Sequence, residues 1–224
     1  MISDKKIEIE KNMLIANCKR CLGKGCGSCF GYCAFIDKMA EAEIPVDYWF
    51  RNMKDFYGEK NFKEIIISYI ENLDSEYKNG YTLCFAGHRG TGKTMAACSI
   101  LKKALLNGYL VNYTTMVDLV GRLMGPSSYI YRNMIKKVDF IVIDEVDRRF
   151  FPSTASQELY GNHFENILRT RVQNKLPTIL CTNSEDISQI FEGEFESSFA
   201  SLRSQFIKVI KAGGKDARKG AEKL

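Results

Sequence analysis

At 224 residues, with 45% hydrophobic and 26% charged side chains, the chain is long enough for one substantial core plus a small accessory module, and its composition excludes a disordered or fibrous protein. No apolar run approaches the roughly 20 residues that a bilayer span needs, and residues 1–12 are charged throughout without a signal-peptide core, so a cytoplasmic protein with no membrane contact is expected. The net charge of +5 permits nucleic-acid binding without requiring it.

Residues 1–15 alternate Lys, Glu and Ile, and a short strand or helix without chemistry of its own is expected there. Five of the eight cysteines follow in Cys18-Lys-Arg-Cys21-Leu-Gly-Lys-Gly-Cys26-Gly-Ser-Cys29-Phe-Gly-Tyr-Cys33. Each Cys-x2-Cys pair can bend around a metal, and four thiolates make the closed tetrahedral shell of a structural Zn²⁺ site. Cys18, Cys21, Cys26 and Cys29 are the expected ligands, with Cys33 the alternative to a member of the second pair; an iron–sulfur cluster would also take four cysteines. So polar a segment has no core of its own and needs a staple to fold. Cys84, Cys98 and Cys181 stand singly among apolar residues and read as packing residues.

From Ala34 to Asp47 a short amphipathic helix is expected, ending near Pro45 as a hinge out of the metal module, so that residues 1–50 form one domain and 51–224 another. Tyr48, Trp49, Phe50 and Phe56 make the following stretch strongly aromatic, which suits packing of a linker or a docking surface. Phe62, Ile65, Ile66, Tyr69, Ile70 and Leu73 then recur at helical spacing over residues 61–78, and Asn79-Gly80 stops that helix.

An apolar strand starting at Tyr81 runs into Gly87-His88-Arg89-Gly90-Thr91-Gly92-Lys93-Thr94, a Walker A loop between the strand and the helix that this motif requires. Its backbone N–H groups would cradle the phosphates of ATP, Lys93 would reach the β and γ phosphates, and the Thr94 hydroxyl would ligate Mg²⁺. A helix from Lys93 to Asn107-Gly108, a strand over 109–113 and helices over 117–124 and 129–136 follow. The strand Val138-Asp-Phe-Ile-Val-Ile-Asp144-Glu145 is apolar enough to be buried on both faces of a parallel sheet. It is a Walker B segment, in which Asp144 would hold Mg²⁺ and Glu145 would polarise the attacking water. A helix over 156–173 carries Leu159, Phe164, Ile167, Leu168 and Val172, and the strand Thr178–Thr182 ends in Asn183, placed to touch the γ phosphate or orient the water. Short helices after Ser184 and over 195–204 lead to a last strand at 206–210 and a basic tail.

Strand-Gly87-x4-Gly92-Lys93-Thr94, Phe140-Ile-Val-Ile-Asp144-Glu145, Leu176-Pro-Thr-Ile-Leu-Cys-Thr-Asn183 and Ser201-Leu-Arg203 stand in the order and spacing of AAA+ ATPases. Over residues 55–218 the chain resembles the DnaC/DnaI/IstB group of helicase loaders and transposition helpers, with Arg171-x5-Pro177-Thr-Ile-x2-Thr-Asn183 as the sharpest match. The resemblance implies an α/β AAA+ P-loop fold: a five-stranded parallel sheet sandwiched by helices, with a minimal lid. It makes Asn183 sensor 1, Arg203 an arginine finger serving the neighbouring subunit and Arg218 a sensor 2 arginine. It also implies an ATPase that self-associates, binds single-stranded DNA and docks a replicative helicase through its zinc module. A transposition helper and a protein-only adaptor with little hydrolysis are the competing functions.

Overall fold

The computed structural model describes residues 2–147, 161–184 and 207–214. The chain divides into two compact units between Phe50 and Arg51.

In the first unit, residues 4–16 form helix α1 (Asp4–Ala16), which opens where the Ser3 hydroxyl accepts from the Lys6 N–H. Helix α2 spans Gly27–Glu41, beginning well before the expected Ala34. The second cysteine knuckle is therefore the first turn of α2: the Cys26 carbonyl accepts from the Phe30 N–H at 3.0 Å. A helix N-terminus presents unpaired N–H groups and positive potential, which favours thiolates over the loop expected there. Lys11 of α1 pairs with Asp37 of α2.

In the second unit, the helix expected over 61–78 breaks into α3 (Lys60–Glu71) and α4 (Leu73–Asn79). Asn72 lies between them because its side-chain amide and its own N–H both donate to the Ser68 carbonyl, a local bond that competes with the helical ladder. Phe62, Ile66, Tyr69 and Leu73 are buried as expected, but Ile65 is exposed.

The strands are β1 (Thr82–Ala86), β2 (Val111–Thr115), β3 (Phe140–Asp144), β4 (Thr178–Thr182) and β5 (Ile207–Lys211). All pairings are parallel, in the order β2-β3-β4-β1-β5. Every residue of β1, β3 and β4 is buried, as strands covered on both faces must be. The helices are α5 (Lys93–Leu106), α6 (Met116–Met124), α7 (Ser128–Ile135) and α8 (Asn162–Gln173). One core joins Ile141, Ile143 and Leu180 of the sheet to Leu119, Ile135, Phe164 and Leu168 of the helices. Strand β2 starts two residues later than its apolar pattern predicts. Asp139 occupies the Leu110 N–H with its carboxylate, and the Tyr109 ring packs on Tyr77 and Phe140 instead of entering the ladder. Leu159, Arg203, Arg218, the two short helices after Ser184 and residues 215–224 of the C-terminal tail lie outside the described residues.

Arg171 of α8 is fully buried. Its guanidinium donates to Thr178 Oγ1 and to the carbonyls of Ile135, Val138, Asp139 and Pro177, all at 2.6–3.1 Å. Burial pulls its pKa down to about 9, which leaves it charged at neutral pH. One side chain thus ties the end of α7 to the starts of β3 and β4. Arg171→Met is expected to lower the unfolding free energy by about 3–5 kcal/mol, because it orphans several buried acceptors together. Urea unfolding of the full chain measures this.

Candidate functional site

The register places the chemistry at one end of the sheet. Ala86 pairs with Thr182 and Thr115 with Asp144, so Gly87, Asp144 and Asn183 all emerge where parallel strands end, the place at which open α/β sheets bind ligands.

The loop from Gly87 to Gly92 is shaped by close approaches that exclude a side chain. At Gly87 (φ 154°) a Cβ would lie 2.2 Å from the Ala212 carbonyl oxygen, and at Gly92 (φ 86°) it would lie 2.4 Å from the Phe56 ring. Behind the loop, Phe56, Phe62 and Phe85 stack in series at 5.8 and 5.2 Å between ring centroids. Glu59 accepts from the Gly213 N–H at 2.9 Å, which ties the segment before α3 to the turn after β5. Thr91 is buried and donates to the His88 carbonyl, whereas His88 and Arg89 are exposed.

Lys93 is buried, with Nζ donating to the Gly87 and His88 carbonyls at 2.7 Å each. Its ammonium is thereby held against the loop by the loop's own carbonyls. Thr94 Oγ1 donates to Asp144 Oδ2 at 2.8 Å across a sequence gap of 50 residues. A hydroxyl and a carboxylate at that distance are the donor set of a hard divalent cation such as Mg²⁺.

Asp144 is only 6% exposed, and three donors fix it. Besides Thr94, Tyr113 OH donates to Oδ2 at 2.9 Å and the Glu145 N–H donates to Oδ1 at 2.7 Å. Burial, and then the Asp144 charge, push the Tyr113 phenol far up, so it is a permanent donor that orients the carboxylate. Glu145 is exposed with φ 55°, a left-handed conformation that a residue with a Cβ enters at a cost of about 1–2 kcal/mol. The bonds from Glu145 N to Asp144 and from Val146 N to the Cys181 carbonyl hold it there. The strand thus ends abruptly, and consecutive acids are given separate environments: Asp144 inward to Thr94, Glu145 outward at the mouth. Asn183, half-buried, follows β4 next to this mouth.

Phe56, Glu59 and Tyr113 carry no motif, and the sequence reading missed their part in the site. An aromatic residue shortly before the loop was visible, but its seat against Gly92 was not.

In the first unit, the Sγ atoms of Cys18, Cys21, Cys26 and Cys29 all lie within 4.8 Å of one another, with Cys21–Cys29 at 3.7 Å and Cys26–Cys29 at 3.5 Å. Four sulfurs about 2.3 Å from one Zn²⁺ would be spaced at about 3.8 Å, so the set fits a tetrahedral ion. Cys33 stands outside this group of four. The Cys29 thiol, with the backbone N–H groups of Cys21 and Arg20, holds Cys18 down to about 6, and the same contact pushes Cys29 up to about 12. Leu22, Gly23 and Gly25 take positive φ to turn the chain around the cluster.

Comparison with known proteins agrees with this geometry. The family model described as ATPase family associated with various cellular activities (AAA) matches residues 83–201. Among solved structures, the chain is similar to a replication initiator DnaA bound to AMPPCP and single-stranded DNA, at 25% identity and TM-score 0.56, covering 75% of this chain and 50% of that one. It is similar to DnaI at 18% identity and TM-score 0.60, over 77% of this chain and 93% of that one. It is similar to the DnaC helicase loader at 17% identity and TM-score 0.58, over 75% of this chain and 99% of that one. The chain therefore spans half the length of the DnaA structure that it matches. No curated protein matches the sequence. Among the described residues, no helix is long and apolar enough to cross a membrane.

Proposed function

The chain belongs to the AAA family of ATPases, and from that premise we propose that it is an ATP-dependent loader of a replicative helicase, acting with single-stranded DNA in DNA replication. What supports this role is the pairing, in one chain, of a Walker A loop and its acid pair with a separate four-cysteine unit. The fold shared with the DnaC helicase loader over nearly that whole chain supports it, as does the single-stranded DNA bound to the similar DnaA.

In this role the loop from Gly87 to Gly92 cradles the phosphates through its N–H groups, and Lys93 neutralises the β and γ oxygens. A magnesium ion held by Thr94 and Asp144 would add Lewis-acid polarisation of the same oxygens. Glu145 accepts a proton from the attacking water as its oxygen bonds to the γ phosphorus. The bond from that phosphorus to the β–γ bridging oxygen breaks, and ADP leaves with the electron pair. Asn183 positions the water or the γ phosphate. Arg203 completes the site of a neighbouring subunit, where its guanidinium meets charge spread over the γ oxygens, and Arg218 serves as the sensor 2 arginine. Cys18, Cys21, Cys26 and Cys29 hold a structural zinc, and the unit around it grips the helicase.

The deciding experiment is ATP turnover by the zinc-loaded protein at several protein concentrations, with and without single-stranded DNA, beside Arg203→Ala. Turnover is expected to rise with both DNA and protein concentration and to collapse in the variant. Turnover that ignores DNA and survives Arg203→Ala would replace the loader with a protein-only adaptor. Stimulation by duplex DNA alone would replace it with a transposition helper.

A further inference from the structure

Away from the phosphate loop, a small open notch lies between α7 and α8, with Leu123 of α6 on its wall, lined further by Arg132, Lys136, His163, Asn166 and Ile167. Arg132, in the last turn of α7, and Lys136, the C-cap that follows it, are four residues apart and place two like charges on the notch. Among the described residues neither forms an ion pair with a carboxylate, and Glu165 of α8 is taken by Arg169 at 2.6 Å. Arg132 reaches His163 Nδ1 with one terminal nitrogen at 3.4 Å, while its Nε is buried with no hydrogen-bond partner.

That orphaned N–H is costly. A buried donor without a partner forfeits about 1–3 kcal/mol, so native proteins rarely keep one without a use. The rest of the lining is also made of donors. With Arg132 donating to its Nδ1, neutral His163 carries its proton on Nε2, and burial followed by the Arg132 charge holds its pKa below the usual value. Asn166 Oδ1 accepts from Thr170 Oγ1, and among the described residues no hydrogen bond occupies its NH₂. Leu123 and Ile167 add apolar wall, which limits competition from water. Two cations, an imidazole and an amide, with no acid among them, make a poor cation site and a good oxyanion site. A guanidinium suits paired bonds to two oxygens of one phosphorus.

We propose that the α7–α8 notch binds a phosphate-class oxyanion, with Arg132 and Lys136 as its charged contacts. The site is distinct from the ATP site and stands whether or not the chain loads a helicase. Its ligand is either free phosphate or a phosphodiester of a nucleic-acid strand.

The test uses the full chain saturated with Mg-ADP, so that added phosphate does not report the phosphate loop. Inorganic phosphate is titrated while the Arg132 Nε–H resonance is followed by NMR. That resonance is expected to shift with saturation, and Arg132→Gln and Lys136→Ala are expected to weaken binding by about tenfold or more, measured calorimetrically, with Arg132→Lys recovering part of it. DNA-independent ATP turnover and thermal unfolding show that the variants are folded. An unmoved Arg132 resonance, or equal phosphate affinity in folded Arg132→Gln and Lys136→Ala, would overturn the site. Where phosphate binds, displacement by a short oligothymidylate identifies the phosphodiester as the ligand, and failure to displace identifies free phosphate.

Discussion

Glu145→Gln is expected to bind ATP as tightly as the parent chain while turning it over about 10²–10⁴-fold more slowly. Lys93→Ala is expected to lose both binding and turnover, with kcat down by about 10²–10³-fold or more. The contrast follows from placement. Lys93 has Nζ on two of the loop's carbonyls and so braces the loop, and in the proposed role it would stabilise phosphate charge before and during reaction. Glu145 is exposed at the mouth in a left-handed conformation, with its backbone N–H on Asp144. Its carboxylate matters when water attacks, and the amide of glutamine keeps its size but not its basicity. A fluorescent nucleotide titration beside steady-state phosphate release separates these outcomes. Parent-like turnover in Glu145→Gln would remove it as the base and move that role to the γ phosphate itself.

Metal removal is expected to act on the other unit alone. Structural zinc contributes on the order of 10 kcal/mol of apparent binding free energy at neutral pH. The cluster joins a turn at Cys18–Cys21 to the first turn of α2 at Cys26–Cys29, so its loss uncouples the start of that helix from the loop before it. Chelation, or Cys29→Ser in the full chain, is therefore expected to open residues 1–50 to proteolysis while DNA-independent ATP turnover persists. Cys33→Ser is expected to retain one zinc per chain by metal analysis, because Cys33 stands outside the set of four. A colourless protein with one zinc excludes the iron–sulfur alternative. Metal-free protein that resists proteolysis in 1–50 would overturn the structural role.

Where local chemistry decides, the sequence was legible. The Walker A segment could be read because glycines, a lysine and a threonine must stand at fixed spacing for backbone N–H groups to meet a phosphate. The four cysteines could be read because a tetrahedral shell needs two tight turns. Elsewhere local signals competed. Six apolar residues at helical spacing suggested one helix over 61–78, yet the Asn72 side chain captured the Ser68 carbonyl and split it. Glycines around Cys26 suggested loop as far as Ala34, yet α2 begins at Gly27, where its free N–H groups face the thiol cluster.

Spacing and residue type alone thus determined the glycine-rich loop, the acid pair, the strand that ends in Asn183 and the cluster of four cysteines, since each depends on groups close together in the chain. Only the tertiary structure decided which distant groups share the site. The strand order β2-β3-β4-β1-β5 puts Asp144 against Thr94 from 50 residues away and seats Tyr113 on the same carboxylate. It also sets Phe56 against Gly92, and it brings five oxygen acceptors around the buried Arg171. Parallel strands are paired through crossovers whose order no short-range pattern encodes, because what selects it is the burial of a whole sheet at once.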